Sequence, residues 1–438
     1  MKSYASYKPS GVPWLGEVPA HWQVEKVKFQ ARLRGEKAVG TNGARYVGME
    51  HVLSKVGKFN PVVDGTQEEA ESTVSVFSKG DVLFGKLRPY LAKCVVADID
   101  GVCSSEFLVL SPSDEVVPAY LNAAMLMQEF IDAVDASTYG AKMPRADWGF
   151  IGQQRLPLPP PDEQQAIADY LDVETARIDT LIHEKDELIG LLREWRQSVV
   201  AEAVTKGLDK TVAIKPSGVP WLGDVPAHWA VEKLKFFVGF AGGGTPSKDN
   251  PAYWEGAIPW VSPKDMKRPR ISETEDYITE EGQLNSPCVL IPPMSVLTVV
   301  RSGILQHSIP VALNVVPVAL NQDMKALLLS ERADCRFLAY EISGCQKELR
   351  EAWVKQGATV ESIEHQRMAD SQLALPPLQE QQAIADYLDT ETAKIDDLIA
   401  HTHDEIALLK ELRAATIADA VLGRIDVRGS AKTIAACA

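Results

Sequence analysis

A chain of 438 residues, 45% hydrophobic and 7% aromatic, has the length for roughly two to four domain cores, and no apolar run in it approaches the roughly 18–20 residues of a membrane span. The formal charge of −15 argues against one uniformly basic surface but leaves room for local basic clusters. Six cysteines at 94, 103, 288, 335, 345 and 437 form no C-x-x-C pair, which argues against structural zinc; with no signal peptide they fit a reducing cytosol, so the expected localisation is cytoplasmic.

The first element, KPSGVPWLGEVPAHWQVEKVKF from Lys8, returns from Lys215 with 19 of 22 residues unchanged at an offset of 207. A second block, EQQAIADYLDVETARIDTLI from Glu163, returns from Glu380 with 17 of 20 matching at an offset of 217. The period is too long for a solenoid and describes a tandem duplication of a whole domain with its connector. The regions between the repeats have drifted almost beyond recognition. Two surfaces held alike and two domains made different predict two copies of one partner and two different ligands. Gln164, Gln165 and Asp169, with Gln381, Gln382 and Asp386 in the second copy, are polar, expected to be exposed, and the candidate partner-binding residues. Trp14, His21 and Trp22, stiffened by Pro13 and Pro19, predict a rigid packing plug in which the histidine is structural.

The first variable region predicts mixed α and β structure. GDVLF (80–84) and EFLVL (106–110) read as strands, and PAYLNAAMLMQEFIDAV (118–134) carries helical spacing. Lys86, Arg88, Tyr90 and Lys93, with Lys142 and Arg145 after Gly140, form its basic cluster. From Asp162 a long helix follows, started by PPPDEQ with prolines ahead of acids. Leu171, Glu174, Ile178, Leu181, Lys185, Leu188, Leu192, Trp195 and Val199 step by three and four, a heptad seam. Residues 214–236 then cap that helix and lead onward; residues 7–29 are expected to do the same for the second helix.

The second variable region is ten residues longer and repeats the plan, with SVLTVV (295–300), KALLL (325–329) and a helix over 335–353. VLFGKLRPYLAK matches VLTVVRSGILQHS in position, SSEFLVL matches NQDMKALLL, and Gly140-Ala141 matches Gly357-Ala358. Its polar and basic candidates are Thr245, Ser247, Lys248, Lys264, Lys267, Arg268, Arg270 and Arg301. Arginine and lysine suit phosphates as well as the guanine O6 and N7 edge. FAGGG (240–244) formally fits a methyl-donor loop, but Thr245-Pro246 after it does not start a helix. No P-loop, no N/D-P-P-Y/F tetrad and no nuclease triplet is present. The second long helix continues the seam through Leu388, Ile395, Leu398, Leu409 and Leu412, with Ile406 marking a shift of face. Residues 162–208 hold 5 basic and 11 acidic residues and 379–424 hold 4 and 10, so each helical block carries −6 and most of the excess charge.

FGKLRPYLAK with SSEFLVL, GGGTPSKDNPAYWEGAIPWVSPKDM (242–266), and the pair LPLPPPDEQQAIADYLD and LALPPLQEQQAIADYLD resemble the specificity subunit of type I restriction-modification enzymes over nearly the full length. The fold expected is α+β: two similar mixed target-recognition domains joined by two long antiparallel coiled-coil helices with pseudo-two-fold symmetry. The expected divisions are 1–29, a repeat segment on the C-terminal helix; 30–155, the first recognition domain; 156–213, the central spacer helix; 214–236, the second repeat segment; 237–372, the second recognition domain; 373–424, the C-terminal spacer helix; and 425–438, a tail. The resemblance implies a non-catalytic subunit reading a bipartite asymmetric site in double-stranded DNA. It also implies two docked methyltransferase subunits, restriction-translocase subunits in the full complex, and adenine N6 as the modified atom. No cofactor is expected in this chain, S-adenosylmethionine belonging to the methyltransferase, and no membrane contact. A duplicated protein-binding adaptor that never touches DNA is the alternative.

Overall fold

The first repeated block pairs, as one strand of a ribbon, with a strand about 130 residues later that leads into the second block. In the computed structural model, which describes residues 3–41, 43–60, 73–140, 142–355 and 360–429, Gln23–Lys26 pairs antiparallel with Arg155–Leu158, and Ala230–Lys233 pairs with Gln372–Leu375 in the same register. Residues Ala141, Gly357 and Ala358 of the sequence parallel, Cys437, and the tail beyond 429 lie outside the described residues. The chain forms two units, one from 1–186 with 403–438 and the other from 187–402.

In the first unit, Ala31–Leu33, Phe107–Pro112, Val82–Gly85 and Cys94–Val96 form an antiparallel sheet in that order. Its apolar runs are continuous because both faces are covered. Val82, Phe84, Leu108 and Leu110 face the helices Pro118–Met125 and Gln128–Ala136, while Leu83, Phe107 and Val109 join a second core. The period of two thus divides one run between two cores. That second core lies against a sheet of Lys37–Val39, Thr73–Phe77, Gly101–Cys103 and Tyr46–Val47.

The second unit repeats this order. Val238–Gly242, Met324–Leu329, Val296–Val299 and Val311–Asn314 form the corresponding sheet, and Arg270–Ile271 adds a fifth, parallel edge strand. Asp276–Ile278, Trp254–Val261 and Ala319–Leu320 make the smaller sheet, and Cys335–Gly344 and Gln346–Trp353 are the paired helices. The architecture is therefore two similar α+β domains, each carried on long helices.

Those helices are Pro161–Lys206 and Leu378–Val421, each started by prolines whose missing N–H costs nothing in a first turn. Within each unit, half of one packs antiparallel on half of the other. In the first unit Arg413 pairs bidentately with Asp179 at 2.8 and 3.4 Å, and Lys185 pairs with Glu405. In the second unit Arg196 pairs with Asp396 at 2.8 and 3.1 Å, the same bond displaced by the repeat offset. The buried positions correct the heptad seam in part: Leu171, Ile178, Leu192, Leu388 and Ile395 are buried as it requires, but other positions are not. Leu188, Trp195, Leu398 and Leu412 are exposed, whereas Ile167, Ile178, Ile189 and Val200, and Ile384, Ile395, Ile406 and Ile417, are buried at every eleventh position. Eleven residues are close to three turns of 3.6, so a nearly straight helix keeps these isoleucines on one face where a heptad drifts away.

Each helix end is closed by the repeated Pro/Trp segment of its own unit. Gly423 (φ +67) stops the second helix, and a Cβ there would meet Pro19 Cγ at 2.5 Å and Trp22 Cη2 at 2.8 Å. Gly207 (φ +71) stops the first, against Trp229. Trp22 and Trp229 are fully buried, and His21 and His228 each bond the first-turn carboxylate of a long helix, Glu163 or Glu380, at 2.7 Å.

Gln164 and Gln381 are corrected as partner contacts, because both are completely buried. Gln164 accepts from Val117 N at 2.8 Å and donates to Glu115 O and Pro159 O; Gln381 accepts from Asp334 N at 2.8 Å and donates to Arg332 O and Pro376 O. Their identity in the two copies is explained by bolting each long helix to the loop that precedes its domain's helix pair.

Two stability predictions follow from these interiors. Arg413 is buried and also donates to Lys55 O and Val56 O, whereas Arg196 is only half-buried and its partner Asp396 is exposed. Arg413→Ala strands a carboxylate and two carbonyls and should cost about 2–3 kcal/mol, while Arg196→Ala should cost under about 1 kcal/mol; urea unfolding followed by tryptophan fluorescence compares them. Glu341 is buried in the second unit, accepting Ala374 N at 2.8 Å, and burial holds its carboxyl well above the usual range. A raised folded-state value gives stability that is complete below the unfolded carboxyl pKa near about 4.3 and is lost as pH rises. Glu341→Gln should therefore melt higher than wild type at about pH 7.5, with the gap closing toward about pH 5; a gap independent of pH in calorimetry would contradict a neutral buried acid.

Candidate nucleic-acid interface

In the first domain, two loops carry the basic candidates and are laced together by their backbones. Arg88 N donates to Pro144 O at 2.8 Å, Ala146 N donates to Lys86 O at 2.9 Å, and Tyr139 and Arg145 exchange backbone bonds across a tight hairpin. Arg88 has φ +50, a left-handed conformation unusual for arginine, immediately before Pro89. The side chains of Lys86, Arg88 and Lys142 have no partner among the described residues. Tyr90, Tyr139 and Met143 are exposed beside them. Three unpaired cations interleaved with aromatic and thioether surface suit phosphate contact and stacking against bases.

The other two candidates of this domain have internal work. Arg145 grips Glu106 bidentately at 3.1 and 3.0 Å and so holds the hairpin in place. Lys93 is half-buried, donates to Met49 O, and burial lowers its pKa, an effect that Glu50 opposes. Tyr139 and Met143 were not singled out in the sequence. Their signal is the Gly140 turn (φ +93) between them, which exposes both sides of the hairpin tip.

In the second domain the candidates fall on separate segments. Lys248 and Arg301 are exposed with no side-chain partner among the described residues. Arg301 lies on the loop corresponding to Lys86–Arg88 and bridges Ser362 as Leu87 bridges Arg145. Thr245 bonds Gln322, and Ser247 O accepts Trp254 Nε1 at 3.1 Å. Lys264 and Lys267 both lie 3.9 Å from Glu275, loose exposed pairs, and Arg268 is 3.2 Å from Glu273. Arg270 is different: from the added edge strand it reaches Asp389 of the second long helix at 3.4 Å, joining Arg336 and Tyr340 on the same carboxylate. Lys325, absent from the sequence candidates, lies 3.2 Å from His365 Nδ1; burial lowers both pKa values, and Lys325 adds to the effect on His365.

FAGGG builds a strand end with close backbone packing. A Cβ on Gly243 would lie 1.8 Å from Asn321 O, and one on Gly244 would lie 2.8 Å from Pro287 C. The glycines are explained by that approach, and the segment before them pairs with Met324–Leu329. Among the described residues no cluster of His, Cys, Asp or Glu could hold a metal, and no helix is long and apolar enough to cross a membrane.

At the helix starts, Gln165 donates to Asp169 at 2.7 Å with both exposed, Gln382 is exposed, and Asp386 is exposed and paired with Arg336 at 2.7 Å. Further along, exposed apolar pairs recur at matching positions, Leu191 with Trp195 in the second unit and Leu408 with Leu412 in the first.

The family model for the type I restriction modification DNA specificity domain matches residues 41–189 and 226–408. The specificity subunit of the type I restriction enzyme EcoR124I/EcoR124II of Escherichia coli is 35% identical over 247 residues, covering 54% of this chain and 55% of that protein. The chain thus aligns with about half the length of that relative. The putative type I restriction enzyme MjaX specificity subunit of Methanocaldococcus jannaschii is 24% identical over 94% of this chain and 96% of its own. A chain solved in work on the assembly and conformational transition of the type I R-M system shares the fold, with TM-score 0.73 at 20% identity over 92% of this chain and 98% of that one. Two domains of one topology, both matched by the same family model and carried on paired long helices, place the chain in the type I restriction modification DNA specificity domain family.

Proposed function

We propose that the chain is the non-catalytic specificity subunit of a type I restriction-modification enzyme, reading a bipartite, asymmetric site in double-stranded DNA. The observation that carries this is the contrast within each unit. The main sheets of the two domains share the order of four strands, yet their loops carry different residues, Lys86, Arg88, Tyr90 and Lys142 against Thr245, Ser247, Lys248 and Arg301, while both are framed by nearly identical repeat segments. Each domain reads one half-site. Lys264, Lys267 and Arg268 supply further phosphate contacts, and Arg145, Lys93 and Arg270 act by holding loops and strands in position. Two methyltransferase subunits dock on the repeated surface, where Gln165, Asp169, Gln382 and Asp386 are exposed, and the matched apolar pairs on the helices suit protein contact. S-adenosylmethionine is bound by those subunits, and restriction-translocase subunits join the complete enzyme.

Co-expression with the companion methyltransferase in cells free of other methylation, followed by mapping of modified bases, tests this directly. A single two-part motif, methylated once on each strand across an unread gap, is the expected result. Methylation at a continuous palindrome, or none from an intact complex, would sink the two-reader assignment. At the residue level, Arg88→Ala and Lys142→Ala should each lower DNA affinity and reduce the slope of log K against log salt by about 1. A complex insensitive to salt and to both substitutions would favour the protein-binding adaptor.

A further inference from the structure

The repeated Pro/Trp segment ends in a single turn, Val27–Gln30 in the first unit and Leu234–Phe236 in the second. In that turn, one residue faces inward and one outward. Val27 and Leu234 are fully buried, and the turn is fixed by backbone bonds, Lys28 N to Gly152 O at 3.1 Å in one unit and Leu234 N to Ser371 O at 2.9 Å in the other. The next-but-one side chain, Phe29 or Phe236, stands in solvent at 63% and 64% exposure. A lysine sits over each ring, Lys28 Nζ at 5.1 Å from one centroid and Lys235 Nζ at 5.7 Å from the other.

The pattern of change in this turn is the reverse of what packing explains. The buried position has changed between copies, Val27 to Leu234, while the exposed phenylalanine and its lysine have not. An isolated surface phenylalanine gains nothing from burial in the chain itself, and one exposed apolar residue alone is unremarkable. Two at equivalent positions, equally exposed and each with a lysine over the ring, Lys235 also pairing with Asp370 at 2.8 Å, on modules whose surroundings differ, describe a shared function. The knob adjoins the ribbon that joins the repeat to the strand leading into the long helix, in the same register in both units.

We infer that Phe29 with Lys28, and Phe236 with Lys235, are paired anchors that each dock one copy of the same protein subunit. The matching surface on that partner is an apolar socket, because the ring needs desolvation, with an acidic rim facing Lys28; Lys235 already has Asp370 at 2.8 Å as its counter-charge. This rests on the functional reading above and deepens it, the occupant being the methyltransferase subunit. One anchor per unit gives two copies per chain.

The test is native mass spectrometry of the full chain co-purified with the companion methyltransferase, wild type against Phe29→Ala, Phe236→Ala and the double variant. Wild type should carry two methyltransferase copies, each single variant predominantly one, and the double variant none at protein concentrations that saturate wild type. Truncating a central aromatic anchor should weaken each site by about tenfold or more. Both side chains are solvent-exposed, so thermal melting of the variants should match wild type, and Lys28→Glu gives a second, charge-based perturbation that should cost the first unit its copy. Retention of two copies by the double variant and by Lys28→Glu would overturn the inference. Loss of DNA affinity by the isolated variants with two copies still bound would reassign the knobs to nucleic acid and likewise overturn it. A wild-type chain that binds no methyltransferase would instead bring down the functional reading itself.

Discussion

Antiparallel pairing of the long helices within each unit is the constraint on which the remaining structure depends. Because the halves run in opposite directions, each unit takes the start of one helix and the end of the other. The start of a helix brings the domain that precedes it, and the end of a helix must be closed by the Pro/Trp segment of the unit it enters. The duplicated Arg–Asp pair fixes the register of the halves, Arg413 with Asp179 in one unit and Arg196 with Asp396 in the other. Once that register is set, Trp22 falls on Gly423 and Trp229 falls on Gly207, and the ribbon strands follow.

The two copies solve the same attachment problem with different chemistry. In the first unit the loop at Lys55 and Val56 is held to the helices by two carbonyl bonds from Arg413, beside a cavity of about 1050 Å³ lined in part by Leu53, Phe59, Ile182 and Ile417. In the second unit Asp389 gathers Arg270, Arg336 and Tyr340, and the corresponding cavity is about 350 Å³. The first attachment is mostly main-chain capture by one buried guanidinium; the second is a charge network open to solvent and hence to screening. A recognition domain can change its ligand by changing loops, but its foot on the helices has to be re-engineered with its own residues.

Much of this was legible in the sequence because it is carried by period and by repetition. The runs at 82–84 and 107–110 gave strands, the prolines before Asp162 marked a helix start, and the duplication implied two domains of one fold. The heptad reading missed at Leu188 and Trp195, though Leu192 is buried, because steps of three and four are shared by seven- and eleven-residue patterns, and only burial separates Ile189 from Leu188. Gln164 misled for a different reason: a glutamine reads as surface, and its three partners at Glu115, Val117 and Pro159 are visible only once the chain has folded. The basic candidates divided in the same way. Nothing local distinguishes Arg88, which has no side-chain partner among the described residues, from Arg145, whose partner Glu106 is 39 residues away.

The closing of the first unit by the chain's last helix has a consequence for synthesis. Residues 187–402, a continuous stretch, are complete on the ribosome before His403 and the helix half that follows it have been made. The second unit can therefore reach its native contacts first, although its domain is encoded later, and the first domain must wait with Trp22 and the ribbon uncovered until Val421 and Gly423 arrive. Domains of a multidomain chain generally fold in the order of emergence, and exposed apolar surface in a waiting intermediate is where aggregation begins. Of the two domains the first is the later to be sealed, so premature termination near residue 400 damages the domain made first.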